Sequence, residues 1–497
     1  MLSLLVVLLA GAFAQTLNIG LDVDPGTMDP RLARDTSAFR MQELIFNGLI
    51  RLDPKLKPVP DLAASWRYIN PTLLEVKLRP NVVFHDGKPF TSEDVVFTYT
   101  TVLDTRFNSP NRALYTPITK VEAPDALTVR FTLSEPFAPL LAYLNMGIVS
   151  KDAATRLGAD FGTQPVGTGP FRLARWQKGS LIELAANDRY WRGKPKFERL
   201  LIRPIPDNNV RLLALESGDL QLIHSPVPPQ EVDRLSKSPQ IQVTKTNALG
   251  ITYLGLNTRD PILSDRRVRQ ALAYLTNKDT ISKQIFFGMD TPGRSFLLPG
   301  SDYYSAKGVD YDLDTARADQ LLTAAGWVAP RAGAVRQRGG QPLTIEIVTN
   351  IDPNRQQVLE YLQGEWRKAG IDVKIRVYDF AAMLNDLLAG RFQITLVGLL
   401  NLTDPDRAAY RMFKTNGSNN YGKYSSSVVD TLLEDARLTN NLSLRRSLYG
   451  QIAQTVTEDV PVIFLLYQGY VVMHDRRLKG FVVHPAASWY SLESASF

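Results

Sequence analysis

Leu343-Thr344-Ile345-Glu346-Ile347-Val348-Thr349, Ile371-Asp372-Val373-Lys374-Ile375-Arg376-Val377 and Phe392-Gln393-Ile394-Thr395-Leu396-Val397-Gly398-Leu399 are three apolar-rich strand segments. Between them lie a helical stretch over about 354–369, closed by Gly370, and a second over about 380–389. The order strand, helix, strand, helix, strand predicts a parallel sheet covered by helices. Working outward, residues 17–135 read differently. Short alternating strands such as Leu127-Thr128-Val129-Arg130-Phe131-Thr132-Leu133 stand among Pro-rich turns, and Thr91 with Asp94 three residues on opens a helix through Val95, Val96 and Tyr99 as a capping box. Near the other end Leu448, Ile452 and Val456 follow helical spacing. Two architectures in a 497-residue chain imply separate domains. The absence of a low-complexity linker implies that they are interwoven, with strands that cross between lobes and act as hinges.

Composition narrows the function classes. Hydrophobic residues at 44% and charged residues at 22% describe a globular chain rather than a disordered or fibrous one. A net charge of +7 is dispersed, with only short basic pairs such as Arg266-Arg267 and Arg476-Arg477, so no nucleic-acid partner is expected. Cysteine is absent, which removes disulfides, thiolate metal sites and lipid attachment through sulfur. Residues 1–14 form an apolar run ending in Ala12-Phe13-Ala14, read as a signal peptide cleaved before Gln15. No Lys or Arg precedes that run. The expected mature protein is periplasmic or extracellular, secreted and not lipid-anchored.

The chemical motifs are few. No pair among His85, His224, His474 and His484 has metal-ligand spacing, and no metal or other cofactor is expected. Gly167-Thr168-Gly169-Pro170 lacks the Lys-Ser/Thr of a phosphate loop and reads as a tight turn. No Gly-x-Ser-x-Gly elbow is present. In Asp404-Pro405-Asp406, Pro405 sets a turn and Asp406 is expected to cap the helix through Tyr410 rather than to serve acid–base chemistry. The protein is therefore expected not to be an enzyme.

A series of motifs in order resembles the extracellular solute-binding proteins of family 5. They are Asn47-Gly48-Leu49-Ile50-Arg51-Leu52-Asp53-Pro54, Pro60-Asp61-Leu62-Ala63-Ala64-Ser65-Trp66, Phe84-His85-Asp86-Gly87-Lys88-Pro89-Phe90, Gly167-Thr168-Gly169-Pro170-Phe171, Tyr190-Trp191-Arg192-Gly193-Lys194-Pro195, Glu216-Ser217-Gly218-Asp219 and Asp404-Pro405-Asp406. That family comprises dipeptide, oligopeptide and nickel-binding receptors of ABC importers. The resemblance implies an α/β fold of two lobes, periplasmic-binding-protein-like, with a small inserted extra domain. Residues 15–45, 165–252 and 474–497 are assigned to lobe I, 46–164 to the insertion, 258–466 to lobe II, and 253–257 with 467–473 to the hinge crossings. The segment around His85 is read as a structural turn. The implied partners are a small-molecule or peptide ligand, an ABC permease and its ATPase subunits, and a monomer is expected.

Peptide-binding members resemble Gly-Trp-x-x-Asp ahead of Asp-Pro-Asp, the upstream Asp pairing with the peptide ammonium. Here Gly398 stands at the Trp and Asn401 at the Asp. The expected ligand-binding residues are Thr27, Tyr253, Asn350, Gly398, Leu400, Asn401 and Tyr467. A peptide-type solute leads, a neutral oligosaccharide is the alternative, and a secreted hydrolase using the same cleft is the rival of another class.

Overall fold

The computed structural model describes residues 15–400 and 402–497. The expected leader at 1–14 and Asn401 lie outside the described residues. The chain opens with β1 (Thr16–Leu21), then α1 (Thr36–Ile45), whose N-cap Asp35 accepts from the Ala38 N–H at 2.7 Å. A four-stranded antiparallel sheet follows, built from β2 (Ala63–Asn70), β3 (Leu73–Leu78), β4 (Ile118–Asp125) and β5 (Thr128–Leu133) in the order β2-β3-β5-β4. On it lies α2 (Ser92–Leu103), where the capping box forms as expected, the Asp94 carboxylate accepting from the Thr91 N–H at 2.9 Å. Val76, Val95, Tyr99, Val129 and Phe131 fill this unit's own core, whose buried members run from Leu49 to Ile148. Past that point α3 (Lys151–Leu157) turns Ala153 and Ala154 into a different core, with Leu17 and Ile19 of β1 and Met41 and Leu44 of α1. The change of core thus falls earlier than the expected boundary at 164, because the apolar face of α3 meets β1 and α1.

The first lobe continues with β6 (Phe171–Gln177), β7 (Leu181–Ala186), β8 (Arg199–Pro204) and β9 (Leu222–Ile223). β1 runs parallel to both β8 and β9. Next comes β10 (Ile241–Leu256), 16 residues long and therefore reaching roughly 50 Å. The second lobe holds β11 (Thr344–Asn350), α4 (Pro353–Lys368), β12 (Asp372–Tyr378), α5 (Phe380–Leu388) and β13 (Ile394–Leu399). β11 pairs with β12 and with β13 in parallel, as the element order predicts. Successive residues explain the two helix layers. Ile347 and Leu396 face a core that contains Leu359 and Trp366 of α4, whereas Val348 and Val397 face a core that contains Met383 and Leu387 of α5.

Three further helices of this lobe are α6 (Pro405–Phe413), α7 (Ser427–Leu438) and α8 (Leu442–Asp459), the last burying Leu448, Ile452 and Val456. The cap of α6 corrects the expectation for Asp406. Asp404 is the N-cap and accepts from the Asp406 N–H at 2.9 Å, because Pro405 occupies the first helical position and Asp406 is already one residue inside. The chain then returns as β14 (Val462–Asp475), antiparallel to β10 along nearly its whole length. One end of this pair is continuous with the first lobe through β9 and β14, the other with the second through β10 and β13. The sheet accordingly reads β12-β11-β13-β10-β14-β9-β1-β8-β7-β6. Pairing between β10 and β14 is irregular between Asn247 and Ile251, opposite Gly469 and Tyr467. That irregularity precedes the segment 253–257 expected as the first crossing.

Candidate functional site

Five of the motifs that carry the family resemblance, those around Asn47, Asp61, His85, Gly167 and Tyr190, come together in space. Asn47 is buried, and its Nδ2 donates to Asp61 Oδ2 at 3.2 Å and to Tyr190 Oη at 3.3 Å. Its Oδ1 accepts from Thr168 Oγ1 at 3.1 Å and from Trp191 Nε1 at 3.2 Å. Arg192 donates to Asp61 at 2.8 Å, and Tyr190 Oη to Glu493 at 2.8 Å. His85 joins the same region: its Nδ1 accepts from the Gly167 N–H at 3.3 Å and its Nε2 meets the Gly169 carbonyl at 3.0 Å. A neutral ring protonated at Nε2 satisfies both contacts, and burial depresses the pKa to about 4. A Cβ on Gly167 would stand 2.0 Å from the Ile45 carbonyl oxygen at the end of α1, so the turn needs glycine for close approach. These motifs tie the inserted unit to the first lobe.

Above this junction lies a cavity of about 160 Å³. It is lined by Arg40, Gln42 and Glu43 of α1, Tyr115 and Tyr143 of the insertion, His484, Ser488 and Tyr490 of the C-terminal segment, and Thr403 and Arg407 from the second lobe. Helical spacing places Glu43 next to Ser488 and Trp489, from whose hydroxyl and N–H its Oε2 accepts at 2.7 Å each. Burial nevertheless raises the Glu43 pKa to about 7, and those two bonds with nearby Arg40 offset part of the rise. Arg40 stacks over the Trp489 ring at 5.2 Å and donates to the Ala487 carbonyl at 3.3 Å, while burial lowers its pKa to about 10. Arg51 is paired with Glu493 at 2.8 Å. The insertion reaches the second lobe directly, through the Ala138 N–H donating to the Arg437 carbonyl at 2.8 Å. Among the described residues, two buried donors in the cavity wall have no acceptor: Gln42 Nε2 and Arg407 Nε.

None of the expected ligand residues that the structure describes is in the wall of this cavity. Asn350 and Gly398 stand at the carboxyl ends of β11 and β13, where open α/β sheets place ligands. Asn350 accepts from Arg355, and a Cβ on Gly398 would lie 2.9 Å from Gln468 Nε2 and 3.2 Å from Arg355 Nη2. Gln468 Nε2 donates to Thr252 Oγ1 at 3.0 Å, next to Tyr253, and exposed Leu400 packs over Gly250. Asn350, Gly398, Leu400 and Tyr253 therefore share one neighbourhood around Arg355 and Gln468. Tyr253 itself is 3% exposed, and burial raises its hydroxyl pKa. Tyr467 is buried as well, its hydroxyl accepting from the Ser295 N–H at 3.1 Å. Thr27 is half-buried beside Gly162 and accepts from the Asp29 N–H at 3.1 Å. Asn401 lies outside the described residues. Arg40, Gln42, Glu43, Arg355, Arg407 and Gln468 were not expected from the sequence. The one local signal is Arg407 with Arg411, i and i+4 on α6 immediately after the Asp404-Pro405-Asp406 motif.

Comparison with known proteins agrees with this architecture. Residues 57–421 match the model for bacterial extracellular solute-binding proteins, family 5. The glutathione-binding protein GsiB of Pectobacterium atrosepticum is 30% identical, over 94% of this chain and 91% of that one. The oligopeptide-binding protein AppA of Bacillus subtilis is 26% identical, over 96% and 90%, and its structure in complex with a nonapeptide superposes with a TM-score of 0.81, covering 97% of this chain and 98% of that one. The periplasmic binding protein DppA of Helicobacter pylori, solved with the peptide STSA, is 27% identical with a TM-score of 0.82, over 97% and 98%. These relatives are named as binding proteins. A family model that matches most of the chain, with binding-protein relatives aligned over more than nine-tenths of it, leads to one assignment: the chain belongs to the bacterial extracellular solute-binding proteins of family 5.

Proposed function

We propose that this protein is the exported receptor of an ABC importer, that it captures a peptide-type solute between its lobes, and that it delivers this solute to a permease and its ATPase subunits. The observation that carries the reading is the cavity walled by α1, the insertion and α6, which belong to parts of the chain joined through the long pair β10 and β14. A site made from two lobes responds to ligand by closure, and closure is the signal a membrane partner can read. Relatives named for glutathione, oligopeptides and the peptide STSA support a peptide-type ligand. The lobe division 15–45, 165–252 and 474–497 against 258–466 is part of the proposal, with the hinge set at the pairing irregularity between Asn247 and Ile251. So is a monomer that begins at Gln15 and is free of lipid, since the sequence holds no cysteine. Mass spectrometry of small molecules released when the purified exported protein is denatured tests the ligand, with N-terminal sequencing of the same sample. Peptides and a terminus at Gln15 are expected. Released oligosaccharides would replace the peptide reading, and steady cleavage of added peptides would replace the receptor with a hydrolase.

A further inference from the structure

The insertion reaches the second lobe with a hairpin whose tip has an unusual backbone. Two short strands, Ile50–Leu52 and Pro58–Pro60, pair antiparallel, and Asp53-Pro54-Lys55-Leu56-Lys57 turns between them. The turn is tightly bonded. Asp53 Oδ1 accepts from the Lys55 N–H at 2.8 Å and from the Lys57 N–H at 2.9 Å. The Asp53 carbonyl accepts from the Leu56 N–H at 2.7 Å, and the Asp53 N–H donates to the Lys57 carbonyl at 3.0 Å. The base of the hairpin is fastened to the first lobe, where His484 Nε2 meets the Asp53 carbonyl at 2.9 Å and Arg51 is paired with Glu493 at 2.8 Å. The arm therefore moves with that lobe. At its tip Leu56 is held at φ 63°, in the left-handed region that costs a bulky side chain free energy and that Gly enters readily.

A turn of this shape is better served by glycine, and what leucine adds is a side chain that reaches another body. Leu56 packs against the second lobe's core, of which Phe296, Leu298 and Leu402 are members. With those three it lines a cavity of about 300 Å³, so the tip can withdraw without disturbing a close-packed interior. One residue on, Lys57 Nζ lies 3.5 Å from Asp302 Oδ2, both side chains being exposed, which makes a weak pair that salt screens. The left-handed backbone is carried whether the lobes are joined or parted, whereas the apolar contact exists only while they are joined. We propose that this hairpin tip is a latch between the insertion and the second lobe, with Leu56 as its apolar catch and Lys57 with Asp302 as its electrostatic one, so that part of the solute-free protein rests in the joined state. Apparent affinity falls with the fraction of protein outside the binding-competent state, and a latch restores part of that loss. The inference rests on the receptor reading above for the closing motion, and it adds what sets the resting position of that motion.

The chain has no cysteine, so spin labels on Thr119→Cys of β4 and Ser443→Cys of α8, both exposed, report the separation of the insertion and the second lobe without background. Double electron–electron resonance on the full mature chain is recorded first without solute, then with a pool of free-acid tri- and pentapeptides built from Ala, Gly, Ser and Leu. Without solute a short-distance population is expected, and Leu56→Gly should reduce its ratio to the long-distance population at least about fivefold. Glycine relieves the left-handed backbone, so the melting temperature of that variant should stay within about 2 °C of the parent. Lys57→Glu should lower the same ratio about twofold, and adding Asp302→Lys should restore it. A lower melting temperature with an unchanged ratio would make Leu56 a packing residue and overturn the latch. So would a solute-free parent with no short-distance population. If the peptide pool still shortens the distances in either case, the receptor reading stands. A pool that shortens them in neither protein would overturn that reading instead, while the fivefold loss without solute would keep the latch.

Discussion

Glu43 sits where the electrostatics of the cavity are least ordinary, since burial raises its pKa from 4.5 to about 7 despite two hydrogen bonds and Arg40 nearby. Its folded-state pKa lies above its unfolded value, so its favourable contribution is fully present below about pH 4.5 and is lost as pH rises through about 7. Glu43→Gln keeps an acceptor for the Ser488 hydroxyl and the Trp489 N–H but cannot ionise. Chemical denaturation should show variant and wild type equally stable at pH 4, with the variant ahead by on the order of 3 kcal/mol at pH 8. A difference independent of pH would mean that Glu43 does not titrate in this range. None of this is legible in the sequence, where Glu43 is one acidic residue on a helix. Arg407 was hidden for a related reason: Asp404, Asp406, Arg407 and Arg411 look balanced along the chain, and only the arrival of Arg445 and Arg437 from elsewhere leaves the two arginines of α6 without carboxylates. Asn47 is the opposite case, since its motif was recognised although its role as a hub was not.

The long strands β10 and β14 carry the connection between lobes, and Gly469 marks where they are least free to change. A Cβ there would stand 2.0 Å from the Met289 carbonyl oxygen, and the Gly469 N–H donates to Asp290 Oδ1 at 3.0 Å. Gly469→Ala must push the strand off that carbonyl, so urea denaturation should show a loss of about 1–3 kcal/mol. Unchanged stability would mean that the strand relaxes without cost. The parallel unit from β11 to β13 was readable because each strand is an apolar run bounded by helical spacing, and those are properties of consecutive residues. The end of the insertion was less so. Helix α3 follows the insertion without any break in composition, and the core it joins is decided by β1 and α1, more than a hundred residues upstream. The N-cap of α6 was misplaced by two residues because either Asp satisfies the local pattern, and only the backbone shows that Asp404 holds the non-helical conformation.

At the scale of the molecule, the insertion touches the second lobe through the Ala138 N–H and the Arg437 carbonyl, with the Arg437 guanidinium 5.4 Å from the Phe137 ring. The Lys57–Asp302 ion pair at 3.5 Å and Leu56, packed against the second lobe's core, add to these contacts, and a ligand held between the lobes adds to them again. Small-angle scattering should therefore show a smaller radius of gyration with a saturating free-acid peptide than without it, and an unchanged curve at saturation would rule out hinge closure. Strand and helix periodicity, the lack of cysteine and the ordered motifs were enough to establish the α/β class, the two-lobed architecture and the family, because each depends on residues close together in the chain or on their succession along it. The binding cavity was out of reach of such reading. Its wall is assembled from residues near 40, 115, 143, 407 and 488, and which of them keep a free donor depends on burial and on partners brought from other elements, quantities that do not exist until the chain has folded.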